Sequence, residues 1–382
     1  MEKLIFYASG DVSVHREEPE SIFALAKPTL DEADLRFCQL ETVYTEEGEG
    51  APNPSYRGAP NPRKVHPRNA QALKFAGFDV VSMAGNHCLD WGYEGLFKTI
   101  DVVKQTGAMV IGAGRDIEEA RKPCIVERKG IKVAFLAYNS ILPTNYWATE
   151  KRPGCAPLRA FTIYEPYEYD QPGQPARVHT FVHHGDLAAM EADIRKVRDQ
   201  ADVVVVSLHY GLHFVPAKLA DYQREASHAA IDAGADVIIG HHAHILKGIE
   251  VYKGKVIFYG LCNFALDSTM RGWPNISPGH REIIELYGWE IDPEWVNTYP
   301  HPADSRKTIL AKCLIGDKGI ERVSFLPVMI NKQAQPEILT RDDKRSSEVA
   351  DYMEWLCRDQ GLDVTFSWEG NEIVIGASEP GT

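Results

Sequence analysis

The chain is 382 residues long, 44% hydrophobic and 25% charged, an ordinary globular composition with enough apolar residues for a sizeable core. Its formal net charge of −13, with fourteen histidines counted neutral, argues against nonspecific binding to nucleic acid or to an anionic membrane, since both need a basic face. An anionic small molecule stays open as a substrate, because a bound cation or a local arginine pocket reverses the field at one site.

The apolar run at 4–8 predicts a first strand that ends at Gly10 and Asp11. Too few apolar residues precede Asp11 for a signal peptide, and no later stretch reaches the ~18 apolar residues of a membrane span. A soluble cytoplasmic protein is therefore expected. Segment 19–27 reads as a helix and 35–40 as a second strand that ends at Glu41. Residues 46–65, rich in Gly, Pro and Asn, read as a long loop. A helix at 69–76 leads into a strand at 80–83, which stops at Gly85, Asn86 and His87. A helix at 94–105, a short strand at 109–111 and a strand at 132–137 follow. Residues 140–182, rich in Tyr and Pro, lack periodicity and read as a second long loop. A helix at 186–200 precedes ADVVVVS at 201–207, a continuous apolar run that predicts a strand buried on both faces and ending near His209. Next come a helix at 221–232, a strand at 237–239 ending at Gly240, His241 and His242, and a hairpin over 249–252 and 256–259. A third long segment, 267–304, carries Trp273, His280, Tyr287, Trp289, Trp295 and Tyr299; loops of this length are often lids or binding loops.

Strand–helix alternation of this kind argues for an α/β architecture. The expected organisation is one catalytic domain over 1–336, with the three long segments as insertions, and an α/β appendage over 337–382 with a helix at 346–358. The seven cysteines are scattered, with no CxxC pair, and read as reduced buried thiols.

Position carries the functional signal. Asp11, Glu41, Asn86, His87, His209, His242 and His244 each follow a predicted strand end, and open α/β sheets bind ligands in the crevice beyond those ends. Mixed carboxylate, carboxamide and imidazole groups suit Mn, Fe or Zn better than Mg or Ca. In GHHAH at 240–244, alternate positions of an extended chain would turn His242 and His244 toward one site.

The ordered series GD (10–11), QLE (39–41), GNH (85–87) with Asp90, HYG (209–211), GHHAH (240–244) and YGLCNF (259–264) resembles the CapA family of poly-γ-glutamate capsule proteins, which is related to calcineurin-like metallophosphoesterases. The similarity extends to the arginine-containing loop around Arg57 and spans about residues 4–330. It implies a four-layer αββα metallophosphatase-like sandwich with two mixed sheets. It also implies one or two divalent transition metal ions: Asp11 and His244 on the first, Asn86, His209 and His242 on the second, and Glu41 bridging. His87 would act beside the metals with Asp90 fixing its tautomer, and Arg57, His241 and Asn263 would face the substrate. The family superfamily's Asp-x-His is replaced by Asp11, Val12 and Ser13, with His15 two residues on, and Glu41 stands for an aspartate. A weak or empty first metal site follows from that departure.

Three functions fit these residues. The first is a metal-dependent hydrolase using activated water on a phosphoester or on an amide of γ-glutamyl or peptide type. The second is a metal-free acid/base enzyme such as a peptide epimerase, with Asp11, His87 or His244 as bases. The third is a non-enzymatic accessory of polyglutamate capsule assembly. The expected partner is a small or peptide-like substrate, with oligomerisation left open.

Overall fold

Strand β1 (Leu4–Ser13) divides its side chains between two cores. Phe6 and Ala8 face one and Tyr7 the other, as the two-residue repeat of an extended chain requires. The same split separates Phe37 from Cys38 in β2 (Leu35–Leu40) and Val80 from Val81 in β3 (Val80–Ser82). The structure, a computed structural model, describes residues 2–50, 64–267, 288 and 292–377.

β1, β2, β3 and β4 (Met109–Ile111) run parallel. On its other side β1 pairs antiparallel with β16 (Lys307–Gly316) from Leu4 to Ala8, then parallel with β15 (Asn263–Leu266) from Asp11 to Ser13. β16 leads on to β17 (Gly319–Ile330), which pairs with β18 (Pro336–Ile338) and β20 (Glu372–Gly376), and β19 (Thr365–Glu369) closes this edge of a ten-stranded mixed sheet. The second sheet has six strands in the spatial order β6 (Cys124–Arg128), β7 (Ile131–Asn139), β11 (Val203–His209), β12 (Val237–His241), β14 (Lys255–Phe258) and β13 (Ile249–Tyr252). Its four inner strands are parallel and its two outer ones antiparallel.

The short α1 (Lys27–Leu30) and α4 (Ile117–Arg121) lie in connections. α2 (Gln71–Ala76) and α3 (Gly92–Gln105) cover the outer face of the first sheet through Leu73, Leu96 and Val103. α5 (His184–Arg198) and α6 (Asp221–Asp232) cover the second through Met190, Ile194 and Ala226. Between the sheets Phe135 stacks on Phe37 with ring centroids 6.1 Å apart and meets Phe6 edge-on at 5.5 Å. The fold is the expected four-layer αββα sandwich with two mixed sheets. No helix among the described residues is long and apolar enough to cross a membrane.

Three segments differ from expectation. The helix expected over 19–27 is a 3-10 turn (Pro19–Phe23) followed by α1, because Pro28 can begin a helix but has no N–H to continue one. The expected loop 140–182 contains β8 (Gly154–Cys155), which pairs with β5 (Ala113–Gly114) from earlier in the chain, and the hairpin β9 (Ala160–Pro166) to β10 (Ala176–Val182). The tail beyond 336 holds α7 (Lys344–Asp359) and continues the first sheet, with Ser324 opposite Val374 and Phe325 opposite Ile373.

One close approach sets the site. β1 shifts register against β2 between Ala8 and Asp11, and such a bulge re-aims the side chain beyond it. At its turn the Asp11 N–H donates to the Cys262 carbonyl at 3.0 Å. A Cβ on Gly10 would lie 2.0 Å from that same oxygen. Gly10→Ala is therefore expected to cost about 3 kcal/mol, since backbone on both sides must move; denaturant melts of the two proteins check this, and an unchanged midpoint would refute the close packing.

Candidate functional site

The C-terminal edges of the two sheets meet, and the strand-end residues gather there. Asp11 comes from β1, Glu41 follows β2, Asn86 and His87 follow β3, His209 ends β11, and His242 and His244 lie beyond β12. Glu41 occupies the middle. Its Oε2 lies 3.7 Å from His209 Nε2, while its Oε1 lies 3.7 Å from His87 Nε2 and 3.9 Å from His244 Nε2. Ligand atoms of Glu41, His209 and His242 all lie within 4.8 Å of one another. Asn86 Oδ1 joins this side at 2.8 Å from His209 Nε2. Asp11 closes the other side: its Oδ2 accepts from the His242 backbone N–H at 3.2 Å and lies 3.8 Å from His244 Nδ1.

Both Glu41 oxygens are buried without a hydrogen-bond partner among the described residues, as are Asp11 Oδ1, His209 Nδ1 and His242 Nδ1. Burial raises the Glu41 carboxyl, the Asp11 charge raises it further and His87 opposes them, leaving it pushed up to about 8. Burial likewise holds the His209 and His242 rings well below the usual histidine range. Glu41, His209 and His242 each offer a ligand atom within one cluster, so the donor set fits a divalent cation; carboxylate, amide oxygen and imidazole suit Mn, Fe or Zn.

His242 and His244 reach the site differently from the extended geometry expected for GHHAH. Their φ values of 89° and 53° are left-handed, a conformation that costs about 1–3 kcal/mol for a non-glycine residue and persists where the surroundings enforce it. The two rings are 6.2 Å apart.

Supporting contacts orient the inner residues. Asp90 Oδ2 holds His87 Nδ1 at 2.6 Å, and the Tyr146 hydroxyl donates to Asp90 Oδ1 at 3.0 Å. Burial pulls the His87 ring down, but the charge and hydrogen bond of Asp90, with the charges of Glu41 and Asp11, outweigh it and carry it to about 9. Asn263 Oδ1 holds His244 Nδ1 at 2.6 Å, and Asn263 Nδ2 donates to the Tyr299 hydroxyl at 2.5 Å. Asn263 is fully buried behind His244. His241 is also buried, its Nδ1 3.2 Å from Asp11 Oδ1 and its ring beside Phe37, so it backs Asp11 from inside the sandwich. The His15 backbone N–H donates to Asp267, whose carboxylate Arg16 clasps through two hydrogen bonds. Arg57 lies outside the described residues, as do Trp273, His280, Tyr287 and Trp289.

Two histidines absent from the strand-end pattern join the site. His213 stacks on His242 and Phe214, with centroids at 4.8 and 4.1 Å. His301 lies 6.2 Å from His244 and 4.5 Å from Tyr299. His213 sits four residues past a strand end, a signal close to the rule that found the others; His301 arrives from a loop with no local signature.

The sequence model of the bacterial capsule synthesis protein family, PGA_cap, matches residues 5–268. The chain belongs to this family. It is 28% identical over 259 residues to "PGA biosynthesis protein CapA" of Bacillus subtilis strain 168, covering 66% of this chain and 58% of that one. It is 30% identical over 288 residues to "Capsule biosynthesis protein CapA" of Bacillus anthracis, covering 71% and 61%. The matched region is thus less than two thirds of either relative. Among solved structures, the calcineurin-like phosphoesterase YfkN of Bacillus subtilis aligns over 94% of this chain and 97% of its own, at 13% identity and a TM-score of 0.39. The CapA resemblance drawn from the motifs is borne out by PGA_cap membership, which takes in every motif of the series.

Proposed function

We propose that this PGA_cap protein is a metal-dependent hydrolase that acts with an activated water on a phosphoester or on an amide of γ-glutamyl or peptide type. One observation carries the reading: Glu41 is a buried carboxylate with neither oxygen hydrogen-bonded, ringed by imidazoles. A carboxylate so placed is costly unless a cation joins it. Asn86, His209 and His242 would hold an ion on the Oε2 side of Glu41, and Asp11 with His244 one on the Oε1 side.

A bound divalent ion supplies Lewis acidity and a water of lowered pKa. The protein's own residues do the rest. Asn263 accepts from His244 Nδ1, which leaves the Nε2 lone pair directed toward Glu41. Asp90 orients the His87 ring through Nδ1, so that His87 Nε2 faces the centre to hold or deliver a proton. The His87 side chain is 15% exposed and that of His244 10%, against 3% for Glu41 and 0% for His209, so the centre opens toward solvent on the His87 and His244 side.

Metal analysis of the purified protein by mass spectrometry tests this reading. Stoichiometric Mn, Fe or Zn supports it. A protein that stays empty after reconstitution sinks it and leaves metal-free acid/base chemistry or a non-enzymatic capsule role. Asp90→Asn is expected to keep the metal yet slow turnover of whichever ester or amide is found by about 10–100-fold, through loss of the carboxylate that orients the His87 ring. Equal turnover with normal metal content would remove His87 from the chemistry.

A further inference from the structure

The hairpin β9–β10 has two outer edges, and the fold treats them differently. On β10, the Thr180 and Val182 N–H groups donate to Asp221 and Glu225 of α6 at 3.1 and 3.0 Å. Both point away from β9. Their cross-strand partners Thr162 and Ala160, and Tyr164 opposite Val178, therefore turn their own N–H and C=O groups away from β10. None of these three N–H groups has a hydrogen-bond partner among the described residues. Phe161, Ile163 and Tyr164 are more than half exposed, and Val178 and Phe181 nearly half. Neither a charge nor a proline interrupts residues 160–164, although such residues are the usual means of blunting an open edge.

We propose that the open edge of β9 is a dimer interface, at which β9 of a second copy of this chain pairs antiparallel about a two-fold axis through Thr162. Neighbouring residues fix that register. With Thr162 opposite its own copy, Ala160 and Tyr164 face each other twice, and all three outward N–H groups of each chain find a carbonyl. Moving the axis one residue toward the turn brings in Pro166, which has no N–H. Moving it one residue back brings in Leu158, whose N–H is already bonded to the Asn139 carbonyl at 2.8 Å. The side chains agree. Phe161 meets Ile163 of the second copy at a pair without ladder hydrogen bonds, where side chains come closest, and extends its pairing with Phe181 into one apolar band. At each end Arg159 stands opposite Glu165. Arg159 clasps Asp186 through Nε and Nη2, which leaves Nη1 for the second carboxylate. Opposite charges at both ends of an uncharged strand favour a second copy over a lipid surface or an unrelated strand. β9 and β10 carry none of the residues of the metal centre, so the interface stands apart from the hydrolase reading.

Sedimentation velocity of wild type, Thr162→Pro and Glu165→Arg over a range of concentrations tests the interface. Wild type should sediment as a dimer. Thr162→Pro removes an N–H that the hairpin itself does not use, so the chain should fold normally. It should nevertheless weaken the dimer by at least about tenfold, because each substitution acts twice at a two-fold axis. Glu165→Arg should weaken it by a smaller factor, and chiefly at low salt. In wild type, hydrogen exchange of the amides of Ala160, Thr162 and Tyr164 should slow as concentration rises, a readout independent of whether any variant folds. Thr162→Cys should form an interchain disulfide on mild oxidation, since a hydrogen-bonded cross-strand pair holds its Cα atoms ~5.5 Å apart; the native cysteines are all buried. A wild type that stays monomeric with fast exchange at those amides overturns the interface, and binding of that monomer to phosphatidylcholine vesicles would give the apolar strand to a lipid surface instead. A dimer that Thr162→Pro leaves intact overturns it equally, by placing the contact elsewhere, and a missing Thr162→Cys crosslink overturns the register.

Discussion

Glu41→Gln should purify almost free of metal, with under about a tenth of the wild-type content, because a carboxylate at the centre of the cluster supplies the charge that holds the ion. Glutamine keeps the shape and one oxygen but not the charge. Adding Mn or Zn should raise the wild-type melting temperature; at about 100 times Kd the gain is ~2.7 kcal/mol by mass action. The same addition should leave the variant unmoved. In the metal-free state the order reverses. The wild type then buries a carboxyl whose two oxygens have no partner, and the variant should match or exceed it by ~1 kcal/mol. The gain is modest because burial already pushes this carboxyl up to about 8, so it is largely protonated near neutrality. Thermal melts of both proteins, with chelator and with metal, separate the two effects. A variant that still takes up metal and gains stability from it would show that Glu41 is not the central ligand.

The parts of the fold that were legible in the sequence are those where one local property decides the element. Met109–Ile111, Leu35–Leu40 and Asp221–Asp232 have the expected boundaries, each an apolar or amphipathic run between polar breaks. β11 is buried along its whole length, as its unbroken valines predict. Non-local pairing was not legible. The hairpin β9–β10 is exposed on both faces, with Phe161, Ile163 and Tyr164 more than half exposed, so it has no alternation to betray it. The C-terminal strands join the first sheet through pairing with β17 and an edge-to-face contact of Phe366 with Phe325 at 5.7 Å. Nothing local to residues 365–376 announces that partner.

For the site, topology did what composition could not. Parallel strands put their C-terminal ends at one edge, so an Asp, a Glu, an Asn and several His far apart in the chain converge without any one of them being distinctive. That rule fails for groups delivered by irregular chain. His301 depends on the loop before β16, and His241, the last residue of β12, turns inward because side chains alternate along a strand. Asn263 stands out in the sequence only within the YGLCNF motif, as a residue expected to face the substrate; its place behind His244 follows from the 2.6 Å contact.

Lys247 makes the last case, since a lysine three residues beyond GHHAH reads as surface and is instead fully buried. Its ammonium donates to the backbone carbonyls of Val215 and Lys218, the latter at 3.0 Å. Those carbonyls belong to the loop that carries His213, in which Phe214 and Ala217 both have left-handed φ values, 55° and 53°. Strain of that kind needs an anchor, and Lys247 provides it. Lys247→Met fills the same channel without donors, so two carbonyls lose their partner at ~1–3 kcal/mol each, partly offset by relief from burying the amine. The effect carries a pH signature. Burial lowers this amine from its ordinary 10.5 to about 7, so between those values the unfolded chain holds a proton that the folded one lacks. Wild-type stability relative to the variant should therefore climb from about pH 7 toward pH 10.5, by at most ~1.4 kcal/mol per pH unit, and level off below pH 7. Urea melts of both proteins at pH 6.5, 8 and 9.5 measure the difference, and amide exchange over residues 211–220 reports whether the loop is released. A constant offset with unchanged exchange would mean that Lys247 fills space and anchors nothing.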